Sequence, residues 1–127
     1  MTKKNIAIAA PCIWAAIVFW LHVGRMPHSE DSSWLPPHSD KIIHFTLFFT
    51  LAFLLARTWI FLGQPKRRSL FISIVLLCLT YGSVLEWIQS HLSYRGADIF
   101  DLFADGLGSV FGIWLALTHL LPAIWRK

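Results

Sequence analysis

The stretch Tyr81 to Gly112, YGSVLEWIQSHLSYRGADIFDLFADGLGSVFG, decides how the rest of the chain is read. Apolar residues dominate both of its halves, yet Glu86, Gln89, Arg95, Asp98, Asp101 and Asp105 are set among them. An ionisable side chain in a bilayer costs several kcal/mol, about 2.5 to 3.5 on insertion scales, so it is retained where a partner or a cavity receives it. If the flanking runs cross a membrane, function is expected at these residues.

The composition supports that condition. Of 127 residues, 56% are hydrophobic and only 14% are charged. A soluble domain of this size keeps too much of its area in water to hide so much apolar surface. An integral membrane protein is the simplest reading. The formal net charge of +4 raises nucleic acid as a partner, but the basic residues flank apolar runs and form no stripe with interleaved polar readers. That is a pattern of membrane orientation, so no nucleic-acid partner is expected. Cys12 and Cys78 each lie inside an apolar run without metal-type spacing and read as packed thiols.

Four apolar runs are expected to form helices: Ile6 to Val23, Ile42 to Leu62, Leu70 to Ser90, and Asp98 to about Leu121. Each has about the 20 residues needed to span roughly 30 Å of hydrocarbon. The first follows Lys3 and Lys4, as a signal peptide would, but it is long for one and ends at His22, Val23, Gly24 and Arg25 with no small-residue cleavage site. Pro11 is tolerable near its first turns. Pro27, Pro36 and Pro37 make the next segment an irregular loop. The expected fold is all-α, a four-transmembrane-helix bundle over residues 1–127 as one domain.

Charge sets the orientation. The N-terminus, the loop at 63–69 and the C-terminus hold Lys3, Lys4, Lys66, Arg67, Arg68, Arg126 and Lys127, against Arg25, Lys41 and Arg95 in the other two connections. The positive-inside rule therefore predicts both termini on the cytoplasmic side. All seven acidic residues (Glu30, Asp31, Asp40, Glu86, Asp98, Asp101 and Asp105) then lie toward the outer side. Localisation in a bacterial cytoplasmic membrane with the polar site facing outward is expected.

Helical spacing sharpens the polar group. Asp98, Asp101 and Asp105 stand at i, i+3 and i+7, on one face of the fourth helix. At 1.5 Å per residue, Asp105 lies only about 10 Å below Asp98. Gly82, Glu86 and Gln89 share a face of the third helix, and Asp40 and His44 share one of the second. Gly108 and Gly112 form a GxxxG, which lets another helix backbone come close to the carboxylate row.

Plainer roles are available for several of these residues. Asp98 and Asp40 can serve as helix caps, with Arg95 as an ion-pair or headgroup partner of Asp98. His22, His28, His38 and His91 read as interfacial or loop residues, and Arg57 can snorkel. Glu86, Asp101 and Asp105 lie too far inside their helices for capping. With Asp98 they make four carboxylates against one Arg and one His, so protons, a bound cation or a cationic ligand must balance them; a purely structural network with Gln89, His44 and Arg95 is the plain alternative.

At these residues the chain resembles the VanZ-like family of small bacterial integral membrane proteins. The matching pieces are DKIIHF at Asp40 to Phe45, GSVLEWIQ at Gly82 to Gln89, and Arg95, Asp98, Asp101, Gly108 and Gly112 in an R-x-x-D-x-x-D…G-x-x-x-G spacing. One departure is Asp105, where the family often carries Asn. The resemblance implies a bundle of four or slightly more helices and, through a member linked to teicoplanin resistance, a connection to glycopeptide action. It implies no particular reaction.

Three functions are compatible with these residues. A metal-assisted enzyme would act on a cell-envelope amphiphile, with Glu86, Asp101, His44 and Asp105 as catalytic candidates. Asp101, Glu86 and Asp105 would ligate a divalent cation, oxygen donors suiting Mg²⁺, Ca²⁺ or Mn²⁺ and His44 leaving Zn²⁺ open; Glu86 or His44 is a general base if there is no metal. Arg95, Lys41, Gln89, Asp98 and Asp40 would bind substrate. A non-enzymatic protein would bind or shield a lipid or an amphiphilic antibiotic with the same acidic pocket. A structural membrane subunit is the third reading. The lipid bilayer is a partner in every case.

Overall fold

The structure, a computed structural model, describes residues 3–23, 39–63, 66–92 and 98–125, with side chains to residue 120. Arg95, a substrate-binding candidate, lies outside the described residues, as do His28, His38, Glu30 and Asp31. Four helices follow in order: α1 (Lys3–Val23), α2 (Ser39–Leu62), α3 (Arg67–His91) and α4 (Ile99–Trp125). All four are long and apolar enough to cross a membrane. Each expected helix is present and slightly longer than its apolar run, because the polar residues at its ends continue the backbone pattern. The largest difference is at Pro122, which was expected to follow the fourth helix but falls within α4. A proline removes its own N–H bond without stopping the chain from remaining helical beyond it.

The helices alternate in direction. Cross-helix contacts pair Ala7 with Thr58 and Trp14 with Leu47, so α1 and α2 are antiparallel. Tyr81 reaches Ala15 and Gln89 reaches His22, so α1 and α3 are parallel. Both α2 and α3 pack on every other helix, whereas, among the described residues, α1 and α4 do not pack on one another. The core runs along one face of α2 through Phe48, Ala52, Ala56 and Ile60, and along α3 through Leu70, Ile74 and Cys78, at the i, i+4 spacing of a helical stripe. Trp20, Ile42, Trp87, Phe103 and Trp114 point outward and are more than half exposed. In water such a surface would drive aggregation; against acyl chains it is the favourable outcome. Cys12 and Cys78 are both free.

The most extensive contact is between α2 and α4, and glycine makes it possible. A Cβ on Gly108 would collide with the Phe45 carbonyl oxygen, and one on Gly112 with the Phe49 carbonyl oxygen. The GxxxG therefore brings the α4 backbone onto α2, one turn from His44.

Side-chain hydrogen bonds hold α1, the least buried helix. Pro11 has no N–H to give to Ala7, and the Thr58 hydroxyl donates to that carbonyl at 2.6 Å. Trp14 Nε1 donates to the Leu47 carbonyl at 3.0 Å, and the Tyr81 hydroxyl donates to Ala15 at 2.7 Å. The Gln89 amide donates at 2.8 Å to the His22 carbonyl, one of those that α1 leaves unsatisfied at its C-terminal end. The isosteric substitution Thr58→Val should lower stability by about 0.6 to 1.7 kcal/mol, read as a lower melting midpoint in detergent. An unchanged midpoint would show that the carbonyl freed by Pro11 needs no donor.

Candidate functional site

The C-terminal ends of α1 and α3 and the N-terminal ends of α2 and α4 meet at one end of the bundle, opposite Lys3, Arg67 and Arg68. The polar residues gather here. Asp98 precedes α4, and its Oδ1 accepts the Phe100 N–H at 2.9 Å, an N-cap bond that fixes the start of the helix. From there Asp101 and Asp105 descend the face that GxxxG turns toward α2. Glu86 comes in from α3, where its Oε2 accepts the Asp98 N–H at 3.2 Å. Asp40 lies in the first turn of α2, inside the helix and one residue after its start at Ser39, where its charge meets the positive end of the helix dipole.

Lys41 ties the outer layer together. Its Nζ lies 2.6 Å from Asp98 Oδ2, 2.9 Å from Asp101 Oδ1 and 3.4 Å from Asp40 Oδ2. Asp40, Asp98 and Asp101 bring ligand atoms as close together as a bound cation would need, and the Lys41 ammonium lies among them.

The inner layer is buried. His44 is 4% exposed, Glu86 8%, Asp101 5% and Asp105 1%. His44 Nδ1 donates to Asp105 Oδ1 at 3.0 Å, which leaves Nε2 turned to Asp101 Oδ2 at 3.7 Å, too far for a hydrogen bond. Ligand atoms of His44, Glu86 and Asp101 all lie within 4.8 Å of one another. Two ligands of one ion at 2.0 to 2.4 Å are separated by about that span or less, so the three atoms match a single coordination sphere. Glu86 Oε1 is buried with no hydrogen-bond partner among the described residues, and so is Asp105 Oδ2.

Gly82 makes room for Asp105: a Cβ there would lie 2.6 Å from Asp105 Oδ2. The Asp105 carboxylate that accepts from Nδ1 fixes the His44 tautomer and aims Nε2 at Asp101, the same arrangement that outer-shell carboxylates give to metal-binding histidines. Asp105 was expected among the metal ligands with Asp101 and Glu86. The geometry groups His44 with those two instead, and sets Asp105 behind the ring.

Among the described residues, five carboxylates surround Lys41 and His44, so even a protonated His44 leaves the group three positive charges short. Gln89, a substrate-binding candidate, spends its amide on α1 and, among the described residues, makes no hydrogen bond to the carboxylates. His22 is nearer than its sequence position suggested. Its Nδ1 donates to the Val18 carbonyl at 2.7 Å, and its ring meets His44 edge-on with centroids 4.7 Å apart. The signal available beforehand was that His22 closes the first apolar run at the same end as His44. His91 lies against Trp87 on the exposed side, away from this group.

Comparison with known proteins gives a family and little chemistry. A protein of Schizosaccharomyces pombe, described as "Uncharacterized protein C11E3.10", is 36% identical over 84 residues, 65% of this chain and 49% of the relative. This chain thus corresponds to about half the length of that relative, which is a yeast protein, so the likeness extends beyond bacteria. No solved structure matches. The family described as VanZ/LLP1 matches residues 8–122, which take in all of α2 and α3, most of α1 and α4 and every residue of the buried polar group, and the chain belongs to that family.

Proposed function

We propose that His44, Glu86 and Asp101 bind a divalent cation and that the loaded site acts on the polar head of an amphiphile in the membrane. The observation that carries this reading is the convergence of buried acceptor atoms. His44 Nε2 and Asp101 Oδ2 face one another at 3.7 Å, ligand atoms of His44, Glu86 and Asp101 lie within 4.8 Å of one another, and Glu86 Oε1 is buried with no hydrogen-bond partner among the described residues. Unshared acceptors in a low-dielectric setting are costly, and one small cation satisfies all three. Two carboxylates and one imidazole suit Mn²⁺, Mg²⁺ or Zn²⁺. Such an ion would polarise a phosphoryl or carboxyl oxygen of a headgroup. Lys41 is the positioning residue, since its ammonium holds Asp98 and Asp101 in place.

The basic residues at the opposite end of the bundle favour an outward-facing site by the positive-inside rule, and we assign it to the outer leaflet. The amphiphile is then a cell-envelope lipid or an antibiotic of the teicoplanin type. Purified protein reconstituted with envelope lipid and Mn²⁺ tests the reaction: wild type should yield a new lipid species by mass spectrometry, and Asp101→Asn none. Unaltered lipid that co-purifies with wild type and is lost in Asp101→Asn would instead establish binding or shielding without chemistry. In a susceptible bacterium, wild type but not Asp101→Asn should raise the teicoplanin concentration needed for inhibition.

Asp105 gives a graded prediction. Asp105→Asn keeps an oxygen for the His44 Nδ1–H and should weaken Mn²⁺ binding about tenfold; Asp105→Leu removes it and should weaken binding about 100-fold. Equal affinities in titrations of wild type and both variants would remove His44 from the ligand set.

A further inference from the structure

A second site lies at the opposite end of the bundle and shares no residue with the first. Between α1 and the C-terminal half of α2, closed on one side by Leu120 of α4, a cleft of about 330 Å³ opens. Its walls include Ile6, Ala10, Leu54 and Phe61, and its charged residues are Lys3 and Arg57. The volume is that of a small-molecule pocket. The Thr58 hydroxyl, also in the lining, is already engaged by the Ala7 and Leu54 carbonyls. Polar recognition therefore falls to the two cations.

Arg57 sits five residues before the end of α2, about 7 Å into the span. Every Asp and Glu of the chain lies at positions 30–40 or 86–105, and the described part of those stretches is at the far end. Among the described residues Arg57 has no ion pair. At that depth a guanidinium can snorkel toward the membrane surface, and Arg57 is exposed there, where it can meet an anion. Lys66, Arg67 and Arg68 add positive charge to the same end.

We infer that this cleft is a binding site for one anionic phospholipid of the surrounding bilayer, its phosphate between Lys3 and Arg57 and an acyl chain along Ile6, Ala10, Leu54 and Phe61. The pairing follows from the chemistry of the lining. A zwitterionic lipid offers the same chain but a neutral head, and a free phosphate offers the charge without the chain.

Native mass spectrometry of the full chain in detergent, titrated with phosphatidylglycerol or phosphatidylcholine, tests this. One phosphatidylglycerol should be retained, about ten- to thirtyfold more tightly than phosphatidylcholine, the preference two membrane-surface cations supply. Arg57→Gln should cut the preference to about fivefold or less, and Ala10→Phe, which fills the cleft, should abolish retention. Arg68→Gln, which removes a charge outside the cleft, should leave both intact, and so should Asp101→Asn, which separates this site from the cation site. Equal retention of the two lipids would overturn the inference, as would a preference lost equally in Arg68→Gln. Should Arg57→Gln fail to fold, Lys3→Gln reads the same preference. Inorganic phosphate should not displace the lipid; if it does, the site recognises the anion alone and the inference fails.

Discussion

Asp101→Asn should abolish divalent-cation binding while leaving the metal-free bundle at least as stable as wild type. Asp101 Oδ2 faces His44 Nε2, and its Oδ1 pairs with Lys41. Changes behind a ligand cost 10- to 100-fold in metal affinity, so removing the charge of a ligand itself should cost more than about 100-fold. The same charge is a burden when no ion is present, because the cluster already has too few cations; asparagine relieves that repulsion and can still accept from Lys41. A cation at about 100 times its Kd stabilises wild type by about 2.7 kcal/mol, so added Mn²⁺ should raise the wild-type midpoint by several degrees and leave the variant unmoved. A purely structural network predicts the reverse: Asp101→Asn would lower the midpoint without any ion, and Mn²⁺ would move neither protein.

The other large effect is expected from a residue without chemistry. Gly112→Leu places a Cβ against the Phe49 carbonyl oxygen, with the Phe53 amide 3.1 Å away, so the clash is with backbone that cannot rotate aside. The helices α2 and α4 must separate, at more than about 3 kcal/mol. Because Phe45 faces Gly108 one residue after His44, separation also draws His44 from Asp105. Loss of stability and loss of Mn²⁺ binding should therefore come together. Gly63→Ala, at a position with nothing within 4 Å, should change stability by less than about 0.5 kcal/mol. Retained Mn²⁺ binding in a destabilised Gly112→Leu would show that the site does not depend on the α2–α4 contact.

What could be read from the sequence follows from the reach of helical periodicity. The i, i+3, i+7 spacing put Asp98, Asp101 and Asp105 on one face, and the four apolar runs gave the bundle. Periodicity acts within one helix, however, and does not say which helix a face will meet. The GxxxG signalled a close neighbour, but that the neighbour is α2 depends on contacts between residues about sixty positions apart. Lys41 was read as a substrate contact because nothing local shows that Asp98 and Asp101 reach it. Gln89 shares a face with Glu86, yet its amide, which can donate where a carboxylate cannot, turns to the end of α1, where a helix C-terminus leaves a carbonyl to be satisfied. The role of Gly82 was equally hidden, since a missing Cβ has meaning only when the atom occupying its space, Asp105 Oδ2, is known. Pro11 and Thr58, separated by 47 positions, make one structural device that neither residue suggests alone.

The direct test of the cation site is pulsed electron paramagnetic resonance of Mn²⁺ added to the purified protein. Coordination through His44 predicts one tightly bound Mn²⁺ whose spectrum carries modulation from an imidazole nitrogen, lost in His44→Gln and kept in Gln89→Leu. A spectrum of aquated Mn²⁺ alone, or a bound ion with no nitrogen coupling in wild type, would contradict it.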